Sequence, residues 1–200
     1  IQNQEYDLGI PNWVFTIDYG LNLLFEDDKV EVFSFPLKHR IFCTGFLFRE
    51  KALPRKIDKY LLEKLHISFA DIHALKAGLD IINENGEKIL NQHATIDPPK
   101  PRSYAYCSDT LFHAGLKHYT EGVDLLYHES TFLEEHAERA KKTYHSTAKQ
   151  AAEAAKLAGV GQLVLGHYSA RYYNLNLFLE EARPIFENCV LGTDGKKIKI

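Results

Sequence analysis

Thr143 to Tyr172 read TYHSTAKQAAEAAKLAGVGQLVLGHYSARY, and the order helix, glycine, apolar strand, histidine within this stretch decides the fold class. Ala148 to Leu157 is a run of helix formers. Ser146, just before it, can accept a hydrogen bond from the free N–H groups of the first turn as an N-cap. Gly159 ends the helix. Gln162 to Gly166 carries the apolar triplet LVL between glycines and is too short for a helix, so a buried strand is expected there. Its C-terminal end delivers His167, and strand ends are where α/β folds keep ligands.

The same grammar recurs upstream. Ser103 to Cys107 (SYAYC) reads as a strand that emits Ser108-Asp109-Thr110, and Asp124 to Tyr127 (DLLY) as another that emits His128-Glu129-Ser130-Thr131. Three strand, polar-tip, helix units in a row predict an α/β architecture with its chemistry collected on one edge of the sheet. Earlier, Val30 to Pro36 alternates in strand fashion, Ile41 to Glu50 is a second strand-like run containing Gly45, and His39 sits on the link between them. From Lys51 to Lys88 the texture changes to charged helical pieces, Lys56 to Leu65 and Phe69 to Lys76, closed by the turn NENGE at 83–87. This stretch reads as an inserted arm. Pro98, Pro99 and Pro101 mark the return from it in an extended conformation.

The 200 residues, 45% hydrophobic, suffice for one sizeable core. No run of about 18 apolar residues and no basic-then-apolar opening segment occurs, so membrane spanning and secretion lack support and the cytoplasm is the expected location. Three widely spaced cysteines, Cys43, Cys107 and Cys189, fit small, buried, reduced thiols better than a disulfide framework. The net charge of −3 argues against a general nucleic-acid coat. A local patch is nevertheless visible in Arg49, Lys51, Arg55, Lys56, Lys59 and Lys64, interleaved with Glu50, Asp58 and Glu63. Its plain reading is a solvated face of mixed charge.

His39, Asp109 and His167 each lie just beyond an expected strand, and imidazole with carboxylate suits Zn²⁺ or Mn²⁺. Taken singly, a histidine among 10 is more often exposed or hydrogen-bonded than a ligand. Asp109 alone could equally cap the next helix.

SDT at 108–110, HEST at 128–131, YHSTAKQAA at 144–152 and GHYSARY at 166–172 together resemble ribonuclease Z, the tRNA 3′-processing endonuclease family of the metallo-β-lactamase superfamily. PLKHRIFCTGFLFREK, from 36 to 51, resembles the same family's third metal motif. The resemblance implies an αββα sandwich, incomplete here at its amino-terminal side, formed by residues 1–200 with an inserted arm at 51–88. It implies that His39 binds one metal ion and His167 the other, with Asp109 bridging them, two zinc ions per complete site or manganese in their place. Glu129 is implied to orient His145, which stabilises the scissile phosphate or protonates the leaving 3′ oxygen. The arm is implied to be an exosite for precursor tRNA, whose phosphates Arg49, Lys51, Arg55, Lys56 and Lys59 would contact without reading sequence. Arg171 could touch RNA phosphate or form an internal ion pair. Ser169 and Thr131 read as local hydrogen-bonders. A homodimer is also implied, with one subunit's arm serving the other's active site.

Two departures from the family pattern bear on these expectations. The Gly-Pro pair of many bacterial arms is replaced by ISFADI at 67–72, so the arm's RNA contacts are assigned to a region. The motif HxHxDH, which supplies the remaining histidine ligands and an aspartate for the attacking water, is absent from the sequence. Together with the lack of methionine and an opening of loop character at Ile1, this makes the chain an expected part of a longer protein, inactive in isolation. A phosphodiesterase of small nucleotides and a non-catalytic RNA-binding relative remain as alternatives; the arm weighs against the first, and the retained His39, Asp109, Glu129, His145 and His167 against the second.

Overall fold

The structure is a computed structural model that describes residues 20–200; the expected opening loop at Ile1 lies outside them. In chain order the elements are β1 (Asn22–Glu26), β2 (Val30–Leu37), β3 (Cys43–Glu50), β4 (Lys56–Ile57), α1 (Lys59–Lys64), α2 (Phe69–Lys76), β5 (Ile81–Ile82), β6 (Lys88–Ile89), α3 (Asn91–Ala94), β7 (Thr95–Ile96), β8 (Ser103–Cys107), α4 (Lys117–Thr120), β9 (Leu125–Glu129), α5 (Ala137–Thr143), α6 (Ala148–Ala158), β10 (Gln162–Gly166), α7 (Asn176–Ala182) and β11 (Cys189–Leu191). Seven strands form one sheet in the order β1-β2-β3-β8-β9-β10-β11. The described residues divide into two compact units, one comprising 20–25, 32–48 and 103–200, the other 26–31 and 49–102.

In the larger unit, β8, β9, β10 and β11 run parallel, joined by helical crossovers. The register aligns Cys107 with His128, and Glu129 with Gly166. The residues that follow these strands therefore leave the sheet at one edge. Helix α6 packs on β9 and β10 and is flanked by α4 and α7. Its approach is set by alanines: Ala148, Ala151, Ala152 and Ala155, at helical spacing, are each 0% exposed. Phe35, Leu37, Leu47, Leu126, Leu163, Leu165 and Phe178 complete this core.

The helix expected over 148–157 is present and stops at Gly159, whose φ of 64° is the left-handed C-cap. Its N-cap is Thr147, one residue later than expected, in a capping box with Gln150. The Ser146 side chain is turned instead to the 108–111 loop, its hydroxyl donating to the Thr110 carbonyl at 2.7 Å. The strand expected at 124–127 runs instead from Leu125 to Glu129, so His128 and Glu129 belong to the sheet and are fully buried. The cysteines are free thiols; Cys107 and Cys189 are buried as expected, whereas Cys43 is half-buried beside Ser108.

The smaller unit includes residues 51–88, the stretch read as an arm from sequence, with further residues on either side. Leu75, Ile81, Ile89 and Ala94 form a core of its own, with Ile57, Leu65 and Ile67 packed against it. Asn83 organises the 83–87 turn, its side chain accepting from the N–H groups of Asn85 and Glu87 and donating to the Leu65 carbonyl. The helix expected from Lys56 begins only at Lys59. Asp58 caps it by accepting from the Tyr60 N–H, while Lys56 and Ile57 pair antiparallel with Ile96 and Thr95. Pairing with a segment some forty residues away has overridden local helix propensity. Within this unit Lys51 pairs with Glu26, and Arg55 with Asp97 and the Thr95 hydroxyl. Lys56 and Lys59 are exposed.

Candidate metal centre

Five loops at the strand ends are laced together by hydrogen bonds. The His39 loop is tied to the 108–111 loop through Leu111 N–H to the Lys38 carbonyl, 2.7 Å, and Lys38 N–H to the Thr110 hydroxyl, 3.1 Å. Ser146 ties the His145 loop to Thr110. The Ser130 N–H and hydroxyl both donate to the Gly166 carbonyl, and the Ser169 N–H to the Thr131 carbonyl. His39, Asp109, Glu129, His145 and His167 are thus brought to one place by rigid connections within the larger unit.

His145 is the middle ring, 5.2 Å from His39 and 5.3 Å from His167 between centroids. His167 has a φ of 59°, a left-handed conformation uncommon for a side-chain-bearing residue, and its Nε2 lies 3.3 Å from Asp109 Oδ1. Donor atoms of His39, Asp109 and His145 fall within 4.8 Å of one another, as do those of Glu129, His145 and His167. Both ring nitrogens of His39 are buried without a hydrogen-bond partner among the described residues. Unpaired buried polar atoms are costly in a folded protein. A cation would satisfy the one that carries a lone pair, and imidazole with carboxylate is the donor chemistry that Zn²⁺ and Mn²⁺ accept. The residues present therefore fit a metal.

Glu129 is 0% exposed yet ionised, because its four lone-pair positions are filled. Oε1 accepts from His145 Nδ1 at 2.8 Å and Thr110 N–H at 3.0 Å; Oε2 accepts from the Thr131 hydroxyl at 2.7 Å and Thr131 N–H at 3.0 Å. Burial opposes its charge, but the His145 bond and charge, with the Thr131 and Thr110 donors, outweigh it and hold the carboxyl below its usual range. His145 is pushed the other way. The Glu129 hydrogen bond raises its pKa, partial burial lowers it, and the charges of Glu129 and Asp109 add to the rise.

Arg171 is exposed, with its guanidinium 5.2 Å from the Phe132 ring centroid and Nε donating to the Ser169 hydroxyl. The internal contact is thus to a ring and a hydroxyl. Three residues carry more of the site than their sequence signal suggested: Thr110, Ser146 and Thr131.

No protein-family model matches the chain. Proteins named ribonuclease Z do: that of Cytophaga hutchinsonii is 48% identical over 182 residues, covering 90% of this chain and 58% of its own length. That of Parabacteroides distasonis is 45% identical over 179 residues, 90% and 59%, and that of Porphyromonas gingivalis strain W83 43% identical over 188 residues, 94% and 62%. The chain therefore spans about three-fifths of the length of the curated relatives it matches. Among solved structures, the short form of human tRNase Z superposes with a TM-score of 0.54 at 23% identity, covering 91% of this chain and 48% of that one. The metallo-β-lactamase-fold protein YhfI of Bacillus subtilis gives 0.55 at 14%, covering 86% and 50%. These two show that the chain has the metallo-β-lactamase fold, and over about nine-tenths of its length its sequence is similar to that of the proteins named ribonuclease Z.

Proposed function

We propose that the protein containing this chain is an endoribonuclease that removes the 3′ trailer of precursor tRNA and leaves a tRNA 3′-hydroxyl. The observation that carries this reading is the buried Glu129–His145 pair, bonded at 2.8 Å beside the His39, Asp109 and His167 donors. The relatives' shared name supplies the substrate class.

His39 would hold one ion and His167 the other, with the Asp109 carboxylate between them neutralising charge. The chemistry such ions supply is activation of a water and stabilisation of both oxygens of an in-line phosphoryl displacement. Zinc and manganese both accept these donors. Glu129 holds the His145 proton on Nδ1, which turns Nε2 toward the donor cluster. With its pKa raised, His145 keeps a proton near neutrality that Nε2 can give to the leaving 3′ oxygen. Thr110 and Thr131 fix the carboxylate, so the imidazole is aimed before substrate arrives.

In the smaller unit, Lys56, Lys59 and Arg49 are exposed cations that would meet RNA phosphate. Lys51 and Arg55 have acidic partners and serve RNA only in competition with them. Arg171 stands near the chemistry and contacts the RNA backbone. The assembly is a homodimer, with one subunit's arm serving the other's site. Its place is the cytoplasm; among the described residues no helix is long and apolar enough to cross a membrane.

The test is cleavage of precursor tRNA by the whole protein, wild type against His145→Ala and Asp109→Asn. Loss of trailer removal in both variants, with folding preserved, is expected. A protein that leaves precursor tRNA intact while hydrolysing small nucleotide diesters overturns the substrate assignment.

A further inference from the structure

We infer that the Thr131 hydroxyl is the positioning group for His167: it fixes which ring nitrogen carries the proton and so presents Nε2 as a bare lone pair toward Asp109. The inference rests on the metal-centre reading above for its purpose, though its wiring stands on geometry alone.

Thr131 Oγ1 has three neighbours: Glu129 Oε2 at 2.7 Å, His167 Nδ1 at 2.8 Å and His145 Nδ1 at 3.2 Å. A hydroxyl has one proton and two lone pairs. Glu129 is a carboxylate and accepts only, so a 2.7 Å oxygen-to-oxygen contact requires the Thr131 proton between them. The His145 Nδ1 proton is committed to Glu129 Oε1 at the shorter distance of 2.8 Å. What remains for His167 is a lone pair on Oγ1, and at 2.8 Å this pair demands a proton on His167 Nδ1. In the neutral ring, Nε2 is then the atom without a proton, 3.3 Å from Asp109 Oδ1. The tautomer of an imidazole is set by the hydrogen bond its other nitrogen makes. One carboxylate therefore orders both histidines, His145 directly and His167 through Thr131.

The hydroxyl is well placed to act this way. Thr131 is 7% exposed, so water does not compete for its proton. Its backbone is held by its own N–H to Glu129 Oε2 and by its carbonyl accepting from Ser169. Neither bond depends on the side chain.

The experiment uses the full natural protein, stripped of metal, ¹⁵N-labelled at histidine and held at alkaline pH where the rings are neutral. Two-bond ¹⁵N–¹H spectra read the tautomer, with the His167 signals assigned by their loss in His167→Ala. The wild type and Thr131→Ser should show the proton on Nδ1. Thr131→Val, which keeps the shape and removes the hydroxyl, should move most of the population to Nε2–H. Cobalt(II) titration should then show affinity falling roughly 10- to 100-fold in Thr131→Val and within about threefold of wild type in Thr131→Ser. A wild-type His167 protonated on Nε2, or a Val variant that keeps both tautomer and affinity, overturns the inference. If His167→Ala leaves cobalt binding unchanged, the metal-centre reading fails, while the tautomer still decides the role of Thr131.

Discussion

Glu129 Oε1 and His145 Nδ1 meet at 2.8 Å, with the carboxylate fully buried and the imidazole side chain 16% exposed. The geometry is one-sided: the acid faces only donors, and the base faces the acid on one edge and the Asp109 cluster on the other. The pair is thus organised around the carboxylate's charge.

Replacing that charge tests the arrangement directly. In Glu129→Gln an NH₂ group must displace one of the donors at Thr110, Thr131 or His145, so His145 loses its alignment and its elevated pKa. Cleavage of precursor tRNA should fall about 10²- to 10⁴-fold, the range of a lost general acid. The loss should sit in kcat more than KM, as single-turnover measurements under saturating enzyme will separate.

The stability of the metal-stripped protein should depend on pH through the same pair. Glu129 has a folded pKa below its ordinary 4.5, so its contribution is complete above that value and is lost as pH falls through the depressed one. His145 has a folded pKa above its ordinary 6.5, so its contribution is complete below that value and is lost as pH rises through the raised one. Melting temperature against pH should form a plateau between the two limits. Glu129→Gln should flatten both shoulders; an unaltered profile would show that the pair does not govern them.

Much of this was legible from local pattern. The strands at 103–107 and 162–166 fall where alternation and flanking glycines put them, and so does the helix opening at Ala148, because each depends on neighbours in sequence. What was not legible depends on register between distant segments. Ser146, the expected cap, has its hydroxyl on a carbonyl at Thr110, 36 residues away, and Thr147 caps the helix. Lys56 leaves the helix for a ladder with Ile96. The role of Thr131 emerges only when β9 and β10 are aligned so that Glu129 lies beside Gly166 and His167 follows.

Gly161 gives a prediction about the scaffold. A Cβ there would lie 2.6 Å from the Asp124 carbonyl oxygen. That backbone cannot easily recoil, since the Asp124 side chain accepts from the N–H and hydroxyl of Ser103. Gly161→Ala should destabilise the protein by about 1–3 kcal/mol, the cost of overpacking, read as an earlier urea midpoint with unchanged slope. The neighbouring turn offers a control in Gly122, whose space is open but whose φ is 66°, so any loss in Gly122→Ala comes from backbone strain and not from a clash.

The cations of the arm should divide into two classes by their partners. Lys51 is bonded to Glu26, and Arg55 to Asp97 and Thr95, so the attraction either could give an RNA phosphate is partly spent inside the fold. Lys56 and Lys59 are exposed on either side of the Asp58 cap. Each phosphate contact contributes about 0.9 to the slope of log affinity against log salt on duplex nucleic acid. Lys56→Ala with Lys59→Ala should therefore weaken precursor tRNA binding across many tRNA sequences and reduce the slope by roughly 1–2. Lys51→Ala and Arg55→Ala should change the slope less while lowering thermal stability, because removing Arg55 leaves the Thr95 hydroxyl without that donor in a buried position. Equal slopes for the two classes would mean that RNA displaces the internal partners on binding, and would return Lys51 and Arg55 to the contact surface.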